Sequence, residues 1–422
     1  MDILQDLQAR GLLNQTTDEA GLKEHLANNQ VTLYCGFDPT ADSLHIGNLV
    51  AILILKRFQE AGHRPLALVG GGTGLIGDPS GRSSERQLND EGTVREYSEK
   101  IAGQLAKVLD FEKVGNAATV RNNLDWLSGM TMIEFLRDVG KHFGVNYMLA
   151  KDSVESRIQH GISFTEFSYM ILQSYDFLNL FRKENCTLQI GGSDQWGNIT
   201  AGLELIRRSS EEGEEAKAFG LTVPLITKAD GSKFGKTAGG AIWLDPEKTT
   251  PYEFYQFWIN TDDRDVINFL HYFTFLSLEE IDELKKEVEN QPEKRVAQRR
   301  LAEEVTKMVH DEAALKQAQK ITEALFSGDL KGLTGEEIEQ GFKDVPTHSF
   351  SEDEKGLIDL LVEAKISSSK RQAREDIQNG AIYINGERQQ DLKYTVDDED
   401  RIDGKFTIIR RGKKKYFLIR YE

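Results

Sequence analysis

A chain of 422 residues, 39% hydrophobic and 29% charged, can build two or three domains with real cores and belongs to the soluble globular class. No apolar run is long enough to span a bilayer, and Met1–Asp6 has neither the basic start nor the apolar centre of a signal peptide, so neither a membrane-spanning helix nor a signal peptide is expected. Net charge of −17 argues against nucleic acid held over the whole surface, and Cys35 and Cys186 alone imply no disulfide framework and a cytoplasmic setting.

The charge is uneven. Residues 355–422 carry 15 Lys and Arg against 12 Asp and Glu, while the remainder is strongly acidic. Any nucleic acid is therefore expected at a local patch. In chain order, Leu4, Leu7 and Leu12–Leu13 predict a short amphipathic helix. Val31–Tyr34 predicts a strand, broken by Gly36, Asp38 and Pro39. From Leu44, the helical spacing of Leu49, Ile52, Leu53 and Phe58 predicts a helix with His45 and Asn48 in its first turn, capped by Asp42 or Ser43. Free N–H groups and the positive dipole end at such a place favour phosphate oxygens, and Gly47 lets a flat ligand approach the backbone. A capped surface helix with an incidental His fits the spacing equally well.

Pro65–Gly70 predicts a second strand, running into Gly70–Gly81. Gly72–Gly77 matches G-x-G-x-x-G, but a dinucleotide fingerprint needs a helix opening at the glycines, and Asp78-Pro79-Ser80-Gly81 is a turn sequence. It is not a P-loop, since Asp78 stands where the lysine belongs. Asp78 is instead a carboxylate at a strand's end, with Arg82 and Arg86 close behind. A helix follows over Val94–Val108, a strand at Ala118–Val120, and an apolar helical stretch over Met132–Phe143. Ser163-Phe-Thr-Glu166 fits a capping box. The apolar helix after it carries Tyr169, Gln173 and Asp176 on one face, at i, i+4 and i+7. Such a stripe is either a satisfied buried network or the wall of a pocket.

Thr187–Ile190 predicts a strand, followed by Gly191-Gly192-Ser193-Asp194-Gln195 and a helix from Ile199 to Arg208. Open α/β sheets present ribose and phosphate sites in this way. Leu221–Thr227 is expected as the last strand of the sheet, leading to Lys228–Thr237 with Lys233 and Lys236 three apart. Pro251 to about Phe326 is helical by periodicity and composition. Residues 327–354 read as a linker carrying one short helix. The tail has a basic helix opened by Lys370, Arg371 and Arg374, an Asn385-Gly386 turn, and a basic hairpin-like end with Arg410, Arg411, Lys413, Lys414 and Lys415. No internal repeat is evident.

His45-Ile46-Gly47-Asn48 resembles the HIGH signature of class I aminoacyl-tRNA synthetases, and Tyr34–Thr40 resembles the bacterial tyrosyl-tRNA synthetase form of the preceding strand and loop. Asn48 stands in place of the last His of that signature. Lys233-Phe-Gly-Lys236-Thr237 resembles the KMSKS loop, and residues 355–422 resemble an S4-type RNA-binding domain. The resemblance spans the chain, with the motifs in the family's order. It implies an α/β fold: a Rossmann-like parallel-sheet catalytic domain over 1–227 with a dimer-contact insertion at about 120–160, an α-helical anticodon-side domain over 228–326, and a small α+β S4-like domain over 355–422.

The resemblance also implies roles. Tyr34 and Asp176 would hold the phenol of tyrosine, Asp78, Tyr169, Gln173 and Gln195 its amino-acid end, and Gln189 would sit near the substrate. Cys35, Gly36, Asp38, Thr40, His45, Gly47, Asn48, Gly192, Asp194 and Thr237 would surround ATP, brought with Mg2+ as a substrate. Thr40, His45, Arg82, Arg86, Lys233 and Lys236 would stabilise the leaving pyrophosphate. No metal ligand set and no permanent cofactor are expected; tyrosine, ATP, tRNA(Tyr) and a second copy of the chain are the implied partners. The rivals are a tryptophanyl-type enzyme, an NAD-dependent dehydrogenase using Gly72–Gly77, and a non-catalytic RNA-binding protein.

Overall fold

The computed structural model describes residues 2–210, 216–232, 234–237, 240–351, 354–413 and 415–421. The chain divides into two compact units, one of residues 1–248 and 261–301, the other of 249–260 and 302–422. The helices of 251–327 are thus shared between the units.

The first unit is built on six strands: β1 (Gln15–Thr16), β2 (Thr32–Phe37), β3 (Arg64–Val69), β4 (Thr119–Asn122), β5 (Cys186–Gly192) and β6 (Phe219–Val223), in the order β1-β6-β5-β2-β3-β4. All neighbours are parallel except β1, which runs antiparallel beside β6. The chain moves outward from β2 through β3 to β4, then returns on the other side of β2 with β5 and β6. Strand order therefore reverses between β2 and β5, and open α/β sheets place ligands beyond the carboxyl ends of the strands at such a point. The candidate segments Asp38–Asn48, Asp78–Arg86 and Asp194–Gln195 follow the ends of β2, β3 and β5, while Tyr34 and Gln189 lie within β2 and β5 and Tyr169–Asp176 lie on the helix before β5.

The long helices of the connections between the parallel strands are Ile46–Glu60, Glu91–Val108, Phe164–Glu184 and Trp196–Ser209. Leu33, Leu66, Leu68, Leu188 and Ile190 are buried in the sheet, with Leu49, Ile52, Leu53, Phe58 and Phe177 buried on the helices. Such two-sided burial requires nearly continuous apolar strands, as these are. The helix Asp263–Phe273 also belongs to this unit: Arg57 Nη2 donates to the carbonyls of His271 (3.1 Å) and Thr274 (2.5 Å). The segments β7 (Lys236–Thr237) and β8 (Gly240–Ala241) pair antiparallel.

Several local expectations differ. The expected last strand, Leu221–Thr227, ends at Val223. The stretch Met132–Phe143 is a short helix, Met132–Glu134, a π-helical turn, Phe135–Val139, and a 3₁₀ turn, Gly140–His142, not one α-helix. Only a 3₁₀ turn, Thr73–Leu75, opens within Gly72–Gly77, as a dinucleotide fingerprint would not. Ser163 caps its helix, but Glu166 does not complete the box because its carboxylate pairs with Arg157 at 2.9 Å.

In the second unit, β9 (Thr347–Phe350), β10 (Lys355–Gly356), β11 (Ile382–Ile384), β12 (Glu387–Arg388), β13 (Thr395–Val396), β14 (Phe406–Arg411) and β15 (Lys415–Tyr421) follow. Five form a sheet in the order β12-β11-β14-β15-β9, and β10 pairs with β13. Asn385 and Gly386 have φ of 48° and 93°, so the predicted turn joins β11 to β12 with two left-handed residues. The expected linker contains its short helix, Gly335–Gly341, but also β9, which pairs parallel with β15. Leu330, Leu333, Ile338 and Phe342 are buried with Ile402, Phe406, Ile408 and Leu418, so this stretch is part of the unit's core.

Candidate active site

Beyond β2, the chain turns at Asp38–Leu44 and enters the helix Ile46–Glu60. His45 is the N-cap of that helix, one residue before its first turn. Its Nδ1 accepts from Gly47 N–H at 3.0 Å, and Asn48 Oδ1 accepts from His45 N–H at 3.1 Å. Asp42 and Ser43 are not the cap: Asp42 pairs with Lys248 at 2.7 Å, and Ser43 Oγ donates to the Leu44 carbonyl. With Nδ1 accepting, the neutral ring carries its proton on Nε2, the nitrogen that can donate to a phosphate. A Cβ at position 47 would lie 2.7 Å from the His45 ring, so glycine is required by this cap. Asn48 has taken over a structural part, closing the box from the third helical position.

His45 and Asn48 line a cleft of about 580 Å³ with Asp38, Thr40, Arg82 and Arg86. The far wall is the segment after the lysine loop: His45 bridges to Trp243, Ile46 N–H donates to the Ile242 carbonyl (3.0 Å), and Ile242 N–H donates to the Gly235 carbonyl (3.2 Å). The two motif segments thus meet. Lys233 and the side chains of Lys236 and Thr237 lie outside the described residues.

Asp38 is where this cleft meets the polar helix stripe. Tyr169 Oη donates to Asp38 Oδ2 (2.7 Å), and Thr73 Oγ1 donates to Oδ1 (2.6 Å). Asn123 Nδ2 reaches both Thr73 Oγ1 and Asp176 Oδ2 at 2.9 Å, while Trp126 Nε1 donates to Asp176 Oδ1 at 2.8 Å. A second branch runs from Asn198 Nδ2 to Gln173 Oε1 (3.0 Å), from Gln173 Nε2 to Gln195 Oε1 (3.2 Å) and from Gln195 Nε2 to Asp78 Oδ2 (2.8 Å). All three stripe residues therefore face the strand ends. Asn123, Trp126, Thr73 and Asn198 were not singled out in the sequence; the signal available was Asn122-Asn123 directly after a predicted strand.

Tyr34 Oη and Gln189 Oε1 are among the buried polar atoms without a hydrogen-bond partner, and these two lie on neighbouring strands of the sheet. Sheet register pairs Tyr34 with Gln189, so both leave the same face of neighbouring strands at the switch point. Unsatisfied buried polar groups are costly, and two side by side mark a place shaped for a polar ligand. Burial also sets the electrostatics. Asp176 is pushed up to about 8 by desolvation, against the lowering hydrogen bonds from Asn123 and Trp126. Asp38 is raised to about 6, again by burial, against the hydrogen bonds from Thr73 and Tyr169. Tyr34 is raised by burial and by the Asp176 charge. Burial raises Asp194 with help from Asp78, and drives the Cys35 thiol up to about 12, which leaves it inert as a nucleophile.

Of the other expected residues, Gly36 lies in β2 and Gly192 ends β5, where a Cβ would lie 2.7 Å from Asp194 Oδ1. Asp78 is further held by Ser80 N–H (2.9 Å), and Arg86 Nε donates to the Asp78 carbonyl (3.1 Å). In the tail, Arg371, Arg374, Lys413 and Lys415 are exposed, and Arg410 stacks 3.9 Å over the Tyr383 ring. Lys370 pairs with Asp359 at 2.6 Å. Arg411 departs from the expected set: its guanidinium is committed inward, donating to the Ile366 carbonyl (2.7 Å) and pairing with Asp376 (3.0 Å). Lys414 lies outside the described residues.

Comparison with known proteins fits this geometry. The model of class I tRNA synthetases (W and Y) matches residues 26–327, and that of the tyrosine–tRNA ligase SYY-like C-terminal domain matches 337–419. Relatives include the tyrosine–tRNA ligase of Oceanobacillus iheyensis, 71% identical with 100% of this chain and 99% of that one covered, and tyrosine–tRNA ligase 1 of Bacillus cereus, 69% identical over the whole of both. Among solved structures, a C-terminally truncated mitochondrial tyrosyl-tRNA synthetase of Aspergillus nidulans is 30% identical with a TM-score of 0.69, covering 77% of this chain and 94% of that one. A tryptophanyl-tRNA synthetase of Encephalitozoon cuniculi shares the fold alone, at 14% identity and a TM-score of 0.53, over 75% of this chain and 87% of that one. The chain belongs to the tyrosine–tRNA ligases of the class I aminoacyl-tRNA synthetase family.

Proposed function

We infer that the protein activates L-tyrosine with ATP and passes the tyrosyl group to the 3′-terminal ribose of tRNA(Tyr). The tyrosine carboxylate attacks the α-phosphorus of ATP, the bond to pyrophosphate breaks, and tyrosyl-adenylate forms. The terminal ribose hydroxyl of tRNA then attacks the tyrosyl carbonyl and releases AMP. No side chain serves as nucleophile. Rate enhancement comes from alignment and from charge placed against the phosphates. His45 Nε2–H, Thr40, Arg82 and Arg86 are suited to the phosphate end, joined by Lys233 and Lys236. Mg2+ enters with ATP as part of the substrate. Tyr34 and Asp176 hold the phenol, with Gln189 beside Tyr34 near the substrate, and Asp78, Tyr169, Gln173 and Gln195 hold the amino-acid end.

The observation that carries this reading is the Asp176–Asn123–Thr73–Asp38 chain, with links of 2.9, 2.9 and 2.6 Å, which makes one connected site of the phenol wall and the His45 cleft. Met132, Ile133, Leu136, Val145, Leu149 and Ile158 are exposed on the insertion, an apolar surface suited to a second copy of the chain in a homodimer. The exposed Arg371, Arg374, Lys413 and Lys415 suit RNA phosphates in the 355–422 domain. No helix among the described residues is long and apolar enough to cross a membrane, and a cytoplasmic enzyme is in keeping with the two cysteines. The test is ATP–pyrophosphate exchange with each of the twenty amino acids. Tyrosine-dependent exchange is expected; exchange with tryptophan instead, or with none, overturns the reading.

A further inference from the structure

We propose that Glu166 is the positioning residue for Arg86, and that buried Arg157 locks Glu166 in place. This rests on the reading of Arg86 as a phosphate-end group. Glu166 sits one turn before Tyr169 on the helix Phe164–Glu184, while Arg157 comes from the separate helix Asp152–Ile158. Their side chains are 1% and 2% exposed, and Arg157 Nη2 lies 2.9 Å from Glu166 Oε2. The other carboxylate oxygen, Oε1, accepts from the backbone N–H of Arg86 at 2.9 Å. Arg157 reaches the same loop through Nη1, which donates to the Ser84 carbonyl at 3.4 Å, and Nη2 donates to the Gly161 carbonyl at 3.4 Å.

The segment 82–89 forms one wall of the His45 cleft, contributing Arg82, Glu85 and Arg86 among others. Its backbone is thus pinned at Ser84 and Arg86 by a charge pair that does not itself line the cleft. From that anchor, Arg86 Nε reaches back to the Asp78 carbonyl at 3.1 Å, and the methylenes of Arg86 lie 3.1–3.5 Å from where a Cβ at Gly77 would be. Removing two charges from water offsets most of the attraction between them, so net stability is a weak reason for such a pair. A buried carboxylate with one oxygen on a guanidinium and the other on a loop N–H has a definite consequence: the loop backbone at Arg86 has a fixed height above the helix that also carries Tyr169, Gln173 and Asp176. The guanidinium at the phosphate end is thereby referenced to the element that holds the amino acid.

The test uses two double variants of the full chain that both remove the buried charges and differ only in the acceptor at 166. Arg157→Met/Glu166→Gln keeps an oxygen for Arg86 N–H; Arg157→Met/Glu166→Leu does not. Each is measured by stopped-flow adenylate formation, tyrosine binding and thermal unfolding, and each is rebuilt on Arg86→Ala. The Leu variant should form adenylate at least tenfold more slowly than the Gln variant, with tyrosine affinity within twofold and similar melting temperatures. On the Arg86→Ala background, the difference between Gln and Leu should fall below twofold. Equal rates for the two variants, or a difference that persists without the Arg86 side chain, overturns the proposal. Absence of tyrosine-dependent adenylate in the parent chain would instead overturn the functional reading beneath it.

Discussion

Tyr34→Phe removes a single oxygen, and the structure gives that change opposite signs in the free and the bound protein. In the free protein Tyr34 Oη is buried and unpaired, with the Phe177 ring 5.4 Å away and Asp176 nearby. Deleting an unsatisfied buried hydroxyl relieves a penalty on the order of 1–3 kcal/mol, so the variant should melt at a higher temperature. On the proposed reading the same hydroxyl meets the substrate phenol in the complex, and a neutral hydrogen bond has a net value of about 0.5–1.5 kcal/mol. Phenylalanine leaves the Tyr34 hydroxyl unpaired in the parent, whereas the variant has no such hydroxyl, and Asp176 keeps its bonds from Asn123 and Trp126 in both. Discrimination should therefore fall by roughly two- to tenfold, through the penalty for leaving a site's polar groups unmatched, a rule for which tyrosyl-tRNA synthetases are themselves the standard illustration. The assay is kcat/KM for tyrosine and for phenylalanine in pyrophosphate exchange, with the KM for ATP unchanged. A variant with the parent's selectivity refutes the role of the hydroxyl; a lowered melting temperature refutes the claim that it is unsatisfied in the free protein.

Lys236→Ala should slow adenylate formation by roughly 100-fold, the usual cost of removing one group that stabilises transition-state charge, with tyrosine affinity within twofold; comparable losses in both would contradict it. Asp176→Asn tests the buried carboxyl through pH. Its pKa is raised to about 8 in the fold, so the folded state holds the proton more tightly than the unfolded one, and stability is lost as pH climbs from about 4 to about 8. At roughly 1.4 kcal/mol per unit the full span is on the order of 5 kcal/mol, so the melting temperature of the Asn variant should gain on the parent across that window and level off above it. A constant difference from pH 4 to pH 9 would exclude a buried, titrating Asp176. Gly386→Ala places a side chain at φ 93° against the carbonyl oxygen of Gly328, and should loosen the second unit by about 2–4 kcal/mol. Pyrophosphate exchange should survive within twofold while tRNA charging falls at least tenfold; parallel losses would show that the two activities are not carried by separate units.

What could be read from the sequence was whatever chemistry is local. The strand at Tyr34, the glycines after β3 and at the end of β5, the face shared by Tyr169, Gln173 and Asp176, and the Asn385-Gly386 turn each depend on residues within about ten positions. What could not be read depends on residues brought together from afar. Asn123 and Trp126 lie about fifty positions from the Asp176 they hold, and nothing near them in sequence says that a carboxylate will arrive. Two local rules failed at the site itself. Asp42 and Ser43 are better N-caps by propensity than His45, yet Asp42 is taken by Lys248 and Ser43 by Leu44 and Gln104. Ser163 and Glu166 have the spacing of a capping box, yet the tertiary partners of Glu166, Arg157 and Arg86, prevail over its own helix end. Conflicts between local preference and final structure concentrate where the structure serves a ligand.

The helix Phe164–Glu184 explains why these failures fall together. Glu166, Tyr169, Gln173 and Asp176 follow one another at spacings of three, four and three, which keeps them on one face, bordered by the buried Met170 and Phe177. Ten residues at 1.5 Å each set the ends of this row about 15 Å apart. One end touches the arginine loop, the other holds the carboxyl beside Tyr34, and the two positions between them reach Asp38 and Gln195. A reaction that joins an amino acid's carboxylate to a phosphate requires that both substrates be located against a common frame. A single rigid helix supplies one, because its four contacts cannot drift independently. A residue inserted between Tyr169 and Gln173 would turn everything after it by about 100° and break the register of the whole site, although every named side chain would still be present.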